Sequence, residues 1–159
     1  MLADFEALDP SNAEFYAPAK IDFPAYVQSL LDEERGLNLR DGWVPCTHRW
    51  LCARDGKIVG VARVRHNIST PFLFKDGGHI GYDVAPSHRG KGFGHVALRV
   101  ALAEAKRRQL DRVLLVTGEA NAASRAVIER QGGVLESIGY SQFWQERLCR
   151  YWINVPTHG

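Results

Sequence analysis

Val84-Ala-Pro-Ser-His-Arg-Gly-Lys-Gly-Phe-Gly94 is the stretch of sequence that decides the fold. The segment His79–Ala85 before it is predicted to be a strand, which Pro86 ends because proline cannot donate to a β-ladder. An amphipathic helix is predicted directly after it, over 95–109. Its apolar stripe consists of Ala97, Leu98, Ala101, Leu102 and Ala105. The chain therefore passes from a strand through a glycine-rich turn into the N-terminus of a helix.

The glycine-rich turn has the features of an anion-binding site. The first N–H groups of a helix lack partners inside the helix, and the helix dipole adds about half a positive charge there. Glycines at 90, 92 and 94 lack the Cβ atoms that would keep an anion away from the backbone. Arg89 and Lys91 add two full positive charges. The pattern predicts a cradle for phosphate groups, which we define as residues 89–94.

Two other phosphate motifs do not match this turn. A Walker loop needs Gly-Lys-Ser/Thr after four spacer residues, and that sequence is absent here. The Rossmann fingerprint needs a third glycine at a different spacing and an acidic residue about 20 positions later. A glycine-rich turn that binds no ligand stays open as an alternative, because three glycines alone are a weak signal.

The pattern Arg-x-x-Gly-x-Gly between a strand and a helix resembles the coenzyme A motif of the GNAT acyltransferase superfamily. His79-Ile-Gly-Tyr-Asp-Val84 is similar to the fourth strand of that family, and 121–132 follows the pattern of its final helix. The resemblance covers 49–155 and is most specific from 79 to 133. It extends to a branch of predicted bacterial acetyltransferases. It implies an α/β fold (an α+β mixed sheet) with helices on both faces of a central, mostly antiparallel sheet.

The resemblance also implies a donor and the residues that hold it. The donor is acetyl-CoA, from which an acetyl group passes to a primary amine of a small molecule or amino-acid-like acceptor. The cofactor-binding residues are Val84, Arg89, Gly90, Lys91, Gly92, Phe93, Gly94, Asn121 and Ser124. The backbone N–H near Val84 is the implied donor to the oxyanion. Many family members have a tyrosine acid where this chain has Ile128, so a non-catalytic acetyl-CoA sensor is the alternative function.

The candidates for proton transfer come mainly from the strand before the cradle. Strand alternation places Tyr82 and Ile80 on one face and Asp83 on the other. Tyr82 and Asp83 are the predicted catalytic residues, and His79 and Tyr140 are further candidates.

Arg63 and Arg65 share a face of a preceding strand, beside the expected acceptor groove. They are the predicted acceptor-binding residues, because arginine binds carboxylates and phosphates bidentately.

The remaining elements are predicted from periodicity and turn signals. A helix over 25–34 should end at Gly36. Strands over 49–54 and 57–66 should form a hairpin around Asp55-Gly56. Further strands are predicted over 112–117, 134–138 and 148–155, and a helix capped by Asn121 should end at Gly132-Gly133. No clear first strand precedes the N-terminal helices, so residues 1–24 are expected to be rearranged or to rely on a neighbouring subunit.

Charge and composition narrow the classes of partner. Residues 1–45 carry nine acids and three bases, a net charge of −6, and the rest of the chain carries +8. A basic body suits a phosphorylated cofactor or a nucleic acid, but its bases are dispersed. Lys106-Arg107-Arg108 is the one basic run, predicted to be a solvated helix face, so we expect no nucleic-acid partner.

The length and composition predict one domain over 1–159, no membrane partner and a cytoplasmic location, and they are compatible with a homodimer. The histidines have no metal-ligand spacing, which predicts no metal. Cys46, Cys52 and Cys149 are expected to be reduced and mostly buried thiols.

Overall fold

The computed structural model describes residues 1–156. The helices are α1 (Leu2–Leu8), α2 (Pro10–Ala13), α3 (Pro18–Ile21), α4 (Phe23–Arg35), α5 (Phe93–Arg107) and α6 (Ala122–Arg130). The strands are β1 (Cys46–Cys52), β2 (Ile58–Arg65), β3 (Ile80–Val84), β4 (Arg112–Gly118), β5 (Val134–Ser141) and β6 (Glu146–Asn154). Single 3₁₀ turns form at Glu14–Tyr16 and Pro86–His88, and a π turn at Leu73–Gly77.

The six strands form one sheet in the order β1-β2-β3-β4-β6-β5. Every neighbouring pair is antiparallel except β3 and β4, which run parallel. The predicted mixed, mostly antiparallel sheet is confirmed. The largest differences in strand bounds are in β1, which begins at Cys46, opposite Arg65, and in β5, which continues to Ser141, opposite Glu146. Cross-strand pairing extends these strands, and periodicity within one strand cannot reveal it.

The main core lies between the sheet and helices α5 and α6. Ala97, Leu98 and Ala101 of α5 are fully buried, and the small side chains of the two alanines let the helix approach β2 and β3 closely. Ile128 of α6 and Tyr151 of β6 complete this core. The predicted apolar stripe of the long helix is therefore confirmed, and the helix carries the end of the cradle at its N-terminus.

The N-terminal helices cover the opposite face of the sheet. Phe5 and Tyr16 pack there on Val61 of β2. Within the described residues no strand precedes Cys46, and residues 1–24 are short helices packed on their own chain. The predicted helix over 25–34 corresponds to α4, which ends at Gly36 in the left-handed conformation (φ 75°).

The basic run 106–108 is only partly the predicted solvated face, since Lys106 and Arg107 are exposed but Arg108 is partly buried. Arg107 and Arg108 both contact the buried carboxylate of Glu104, and Arg108 also pairs with Glu34 at 2.5 Å. Arg49 donates to the same Glu104 carboxylate at 2.9 Å. The run is therefore part of an ion-pair network between α5, α4 and β1, because the buried Glu104 carboxylate requires cationic partners.

All three cysteines are free, with Cys46 and Cys149 buried and Cys52 exposed. Across residues 1–156, no helix combines the length and the apolar character that a bilayer crossing requires.

Candidate active site

The central feature of the site is a gap in the sheet between β3 and β4. These two strands pair through Ile80 and Leu115 and then diverge. The gap opens into a cleft of about 170 Å³. Parallel strands that separate in this way leave backbone groups of both strands facing the space between them.

The pairing of β3 with β2 determines which backbone groups face this cleft. The N–H of Arg65 donates to the carbonyl of His79, and the N–H of Ala85 donates to the carbonyl of Val59, both at 2.8 Å. Because backbone groups alternate along a strand, the N–H groups of Tyr82 and Val84 point away from β2, towards the cleft. The Val84 N–H therefore points to the side of β3 on which the sheet opens.

The cradle lies at the N-terminus of α5, where its glycines adopt conformations that other residues avoid. Gly90 and Gly92 have φ angles of 72° and 85°, in the left-handed region. A Cβ atom at either position would meet no atom within 4 Å, so the space beside both glycines is open. Gly92 is the N-cap of α5 and no side chain caps this helix. The cradle therefore has the room and the unpaired donors that a pyrophosphate needs.

The charged side chains of the cradle are engaged by neighbouring groups. Arg89 donates through Nη2 to Asp9 at 2.7 Å and through Nε to the carbonyl of Val84 at 3.1 Å. Lys91 donates to the carbonyl of Ser87 at 3.0 Å. The hydrogen bond from Arg89 lowers the pKa of Asp9 to about 2. No local signal in the sequence predicts that Asp9, 80 residues away, accepts a hydrogen bond from Arg89 of the cradle.

Phe93 begins α5, with its ring packed edge-on against His88 at 5.8 Å between centroids. Gly94 follows it at the floor of the site. A Cβ atom there would lie 3.4 Å from Val127 and 3.7 Å from the ring of Tyr82. Gly94 thus lies where α5, α6 and β3 meet beside the cleft, and a Cβ there would make ordinary van der Waals contacts.

Tyr82, Asn121 and Ser124 come together at the cleft. The Asn121 side chain caps α6 by accepting from the N–H of Ser124 at 3.0 Å, as its position predicted. The Ser124 hydroxyl lies 2.9 Å from the Tyr82 hydroxyl. Burial raises the pKa of Tyr82, and the hydrogen bond with Ser124 opposes this in part. Ile128 lines the same cleft and carries no proton donor.

Asp83 lies on the other face of β3, in a cluster with Tyr16 and Arg63 that we call the ion cluster. Arg63 donates to Asp83 at 2.8 Å and to the Tyr16 hydroxyl at 3.0 Å, and Tyr16 donates to Asp83 through a short bond. Burial raises the pKa of Tyr16. Burial disfavours the charged form of Arg63, but Asp83 and Tyr16 outweigh that effect and raise its pKa. Arg63 therefore keeps its charge next to the cleft, which it lines together with Gly81.

Three other predicted candidates lie away from the cleft. Arg65 donates to the carbonyl of Gly78 at 3.1 Å and is not among the residues that line the cleft. His79 accepts the N–H of Leu114 through Nδ1 at 3.0 Å, and burial lowers its pKa to about 4. Tyr140 is half-exposed on β5, which β6 separates from β4. The structure therefore concentrates the predicted chemistry at Tyr82, Val84 and Arg63.

A sequence model described as the acetyltransferase (GNAT) family matches residues 14–133, more than half of the chain. The chain belongs to the GNAT acetyltransferase family. The match begins earlier than the resemblance quoted above, within the N-terminal helices, and ends just after α6. No curated protein matches the chain.

Solved structures with the GNAT fold resemble this chain at low sequence identity. The ribosomal-protein-S5-alanine acetyltransferase of Vibrio fischeri has a TM-score of 0.62 and 21% identity over 82% of this chain and 68% of its own. The yncA protein of Salmonella typhimurium, solved with its cofactor acetyl-CoA, has a TM-score of 0.52 and 21% identity over 66% of this chain. This chain covers 62% of the Salmonella protein, less than two thirds of its length.

A third neighbour, a spermidine N-acetyltransferase SpeG chimera from Vibrio cholerae and hSSAT, has a TM-score of 0.56 and 18% identity. It covers 69% of this chain and 66% of its own. At these sequence identities the likeness shows the fold alone and does not identify the acceptor of this chain.

Proposed function

We propose that this protein transfers the acetyl group of acetyl-CoA to a primary amine of a small molecule or amino-acid-like acceptor. The observation that supports this proposal is that the cradle and the cleft adjoin each other. An open anion cradle at the start of α5 adjoins a gap in the sheet that holds a partly buried tyrosine, Tyr82, whose pKa is raised by burial. Membership of the GNAT family supports acetyl-CoA as the donor.

The residues present fit the donor. Residues 90–94 offer a pyrophosphate backbone N–H groups and open space, and Lys91 within this segment adds a positive charge. Asn121 and Ser124 line the cleft, where a pantetheine arm would extend the polar edge of β3. When bound, acetyl-CoA supplies the acetyl group as a thioester, which an amine can attack directly.

The Val84 N–H is the proposed donor to the developing oxyanion. It points into the gap because the alternate residues of β3 are paired with β2. A fixed backbone donor needs no reorganisation when negative charge develops, and one such donor contributes about 3 kcal/mol in other acyl-transfer sites.

Tyr82 is the proposed acid that protonates the leaving sulfur. A phenol is protonated at neutral pH, and burial raises the pKa of Tyr82 further, so this side chain can donate a proton but is not a base there. Its hydroxyl reaches Ser124 in the first turn of α6, the helix where many family members carry the tyrosine replaced here by Ile128. Tyr82 from β3 thus offers the same chemical group from the opposite wall of the cleft.

Arg63 is the proposed contact for an anionic group of the acceptor. It lines the cleft, and its side chain is 22% exposed. We assign Asp83, also predicted to be catalytic, the role of holding Arg63 in place, since both its hydrogen-bond donors belong to the ion cluster. Arg65 is bonded to backbone carbonyls and anchors the loop that precedes β3.

An amine panel tests the transfer. The protein is mixed with acetyl-CoA and amines with and without a carboxylate, and free CoA is separated by chromatography. Chromatography avoids a thiol reagent, which would also react with the exposed Cys52. We expect turnover on a primary amine that carries a carboxylate. Thermal stabilisation by CoA without turnover on any amine would favour the sensor function that Ile128 suggests.

Tyr82→Phe tests the proposed acid. We expect kcat to fall by about 100-fold, typical of a lost general acid, with the Kd for CoA within about twofold. Tyr140→Phe is the matched control, because it removes a phenol far from the cleft, and it should leave kcat unchanged. Equal rates for Tyr82→Phe and the native protein would remove Tyr82 from the mechanism.

A further inference from the structure

Three side chains of metal-binding types lie together outside the cleft. They are Glu33 on α4 and Cys46 and His48 on β1. One ligand atom from each lies within 4.8 Å of the other two, and His48 Nε2 is 2.9 Å from Glu33 Oε2. A carboxylate, a thiol and an imidazole are the ligands that zinc uses in proteins.

The local fold explains why these three side chains meet. Cys46 and His48 are two residues apart on a strand, so both point to the same face of β1. Glu33 lies in the last turn of α4, whose end is set by the left-handed Gly36. Because the ligands come from a helix and a strand separated by a loop, no ligand spacing is visible in the sequence.

The cluster is sheltered enough to hold an ion. Cys46 is 3% exposed, and the side chains of His48 and Glu33 are 13% and 15% exposed. Zinc bonds of about 2.0 to 2.3 Å in a tetrahedron place neighbouring ligand atoms about 3.3 to 3.8 Å apart. The 2.9 Å between His48 Nε2 and Glu33 Oε2 is shorter than that range and no separation exceeds 4.8 Å, so side-chain shifts of about 1 Å would be enough.

The surrounding charge is compatible with a divalent cation. Arg65 lies opposite Cys46 and Arg63 lies opposite His48 in the register of β1 and β2. A free divalent ion would be repelled by these cations. A divalent ion bound by one thiolate and one carboxylate carries no net charge, so the arginines do not oppose the complete site.

We propose that Glu33, Cys46 and His48 form a zinc site with three protein ligands and a fourth position open to water. The ion would link the last turn of α4 to β1, which is an edge strand of the sheet. This inference departs from the sequence-based expectation of no metal, and it is independent of the proposed acetyl transfer.

The test uses the full chain without a histidine tag. Metal-free protein is titrated with Co²⁺, which reports a thiolate ligand by a sulfur-to-metal charge-transfer band and tetrahedral geometry by visible absorption. Zinc content after equilibrium dialysis gives the stoichiometry. We expect one equivalent of either metal, displacement of Co²⁺ by Zn²⁺, and a higher Tm with zinc bound.

Matched variants separate the site from adventitious binding. Cys46→Ser and His48→Gln should lose the charge-transfer band or the stoichiometric uptake, while Cys52→Ser, Cys149→Ser and His66→Gln should keep both. If Cys46→Ser fails to fold, Glu33→Gln provides the same test. Absence of one-to-one binding by the native protein would overturn the proposal, as would undiminished uptake in a folded Cys46→Ser or Glu33→Gln variant.

Discussion

Two parts of this molecule are built from different kinds of contact: the part from β3 onward, called the cofactor half, and the part from α1 to β2, called the N-terminal half. In the cofactor half, β3, the cradle and the start of α5 follow one another within residues 80–94, and backbone conformation makes the site. In the N-terminal half, the decisive contacts join distant residues. Asp9 binds Arg89 across 80 positions, and Tyr16 binds Asp83 across 67.

This difference determines what a substitution does in each half. A backbone-built site depends on the absence of side chains, so an added side chain should abolish binding, while the strain of a left-handed residue costs only about 1 to 2 kcal/mol of stability. A site built from buried charges depends on partners, so removing one partner leaves the other uncompensated and should reduce stability first.

The largest effect is expected from Gly92→Glu in the cradle. The new carboxylate would lie a few Å from the pyrophosphate, and two like charges at 4 Å cost about 4 kcal/mol at an effective dielectric constant of 20. The Kd for CoA, measured by calorimetry, should rise by about a thousandfold. Gly56→Glu is the matched control, since Gly56 has a similar φ of 81° and open space but lies in the β1–β2 turn. Unchanged CoA binding by Gly92→Glu would refute the cradle.

The next effect is expected from Asp83→Asn in the ion cluster. Loss of the carboxylate leaves the buried Arg63 charge without its counter-ion, which should lower the free energy of unfolding by about 3 kcal/mol in urea. Glu119→Gln removes the partner of Arg147 in an exposed pair and should cost less than about 1 kcal/mol. Equal losses in the two variants would mean that burial of the ion cluster has no energetic role.

A comparable but pH-dependent effect is expected at His79. Its pKa is lowered to about 4 in the folded protein, against about 6.5 in the unfolded chain. The unfolded state therefore binds the proton more readily, and stability from this group is complete above pH 6.5 and is lost as the pH falls towards 4. The loss should approach about 3 kcal/mol, measured by urea unfolding from pH 7.5 to 4.5. His79→Asn keeps an acceptor for the Leu114 N–H but cannot titrate, so its stability should depend less on pH.

The smallest effect is expected from Asp9→Asn, which connects the two halves. The variant removes the carboxylate that neutralises Arg89, so CoA should bind about threefold more tightly, in line with an exposed ion pair. Because the pKa of Asp9 is lowered to about 2, this ion pair stays intact from pH 5 to 9. Asp4→Asn is the control, since Asp4 binds Ser87 and leaves Arg89 untouched. Weaker CoA binding by Asp9→Asn would mean that Asp9 positions Arg89 for the cofactor and does not compete with it.

Whether a feature could be predicted from the sequence depends on whether its contacts are local or join distant residues. The face of β3 on which Tyr82 lies, the cap at Asn121 and the helix end at Gly36 depend on neighbours within a few residues, and the structure has all three as predicted. The partners of Arg89 and Arg108, the separation of Arg63 from Arg65, and the meeting of Glu33 with Cys46 depend on the folded chain. None of these leaves a periodic or local signal.

The sequence by itself determined the order of most helices and strands and the glycine-rich turn before α5, because alternation, helical periodicity and glycine placement act through local backbone geometry. The GNAT fold followed from the resemblance of that turn and its flanking elements to the family. Only the tertiary structure decided which charges neutralise each other and which polar groups reach the cleft. It brought Tyr82 to Ser124, Asp9 to Arg89 and Asp83 to Arg63. The physical reason is that a charged or hydroxyl group hydrogen-bonds to a partner that the packing of helices and strands brings within about 3 Å. The separation of the two residues along the chain does not matter.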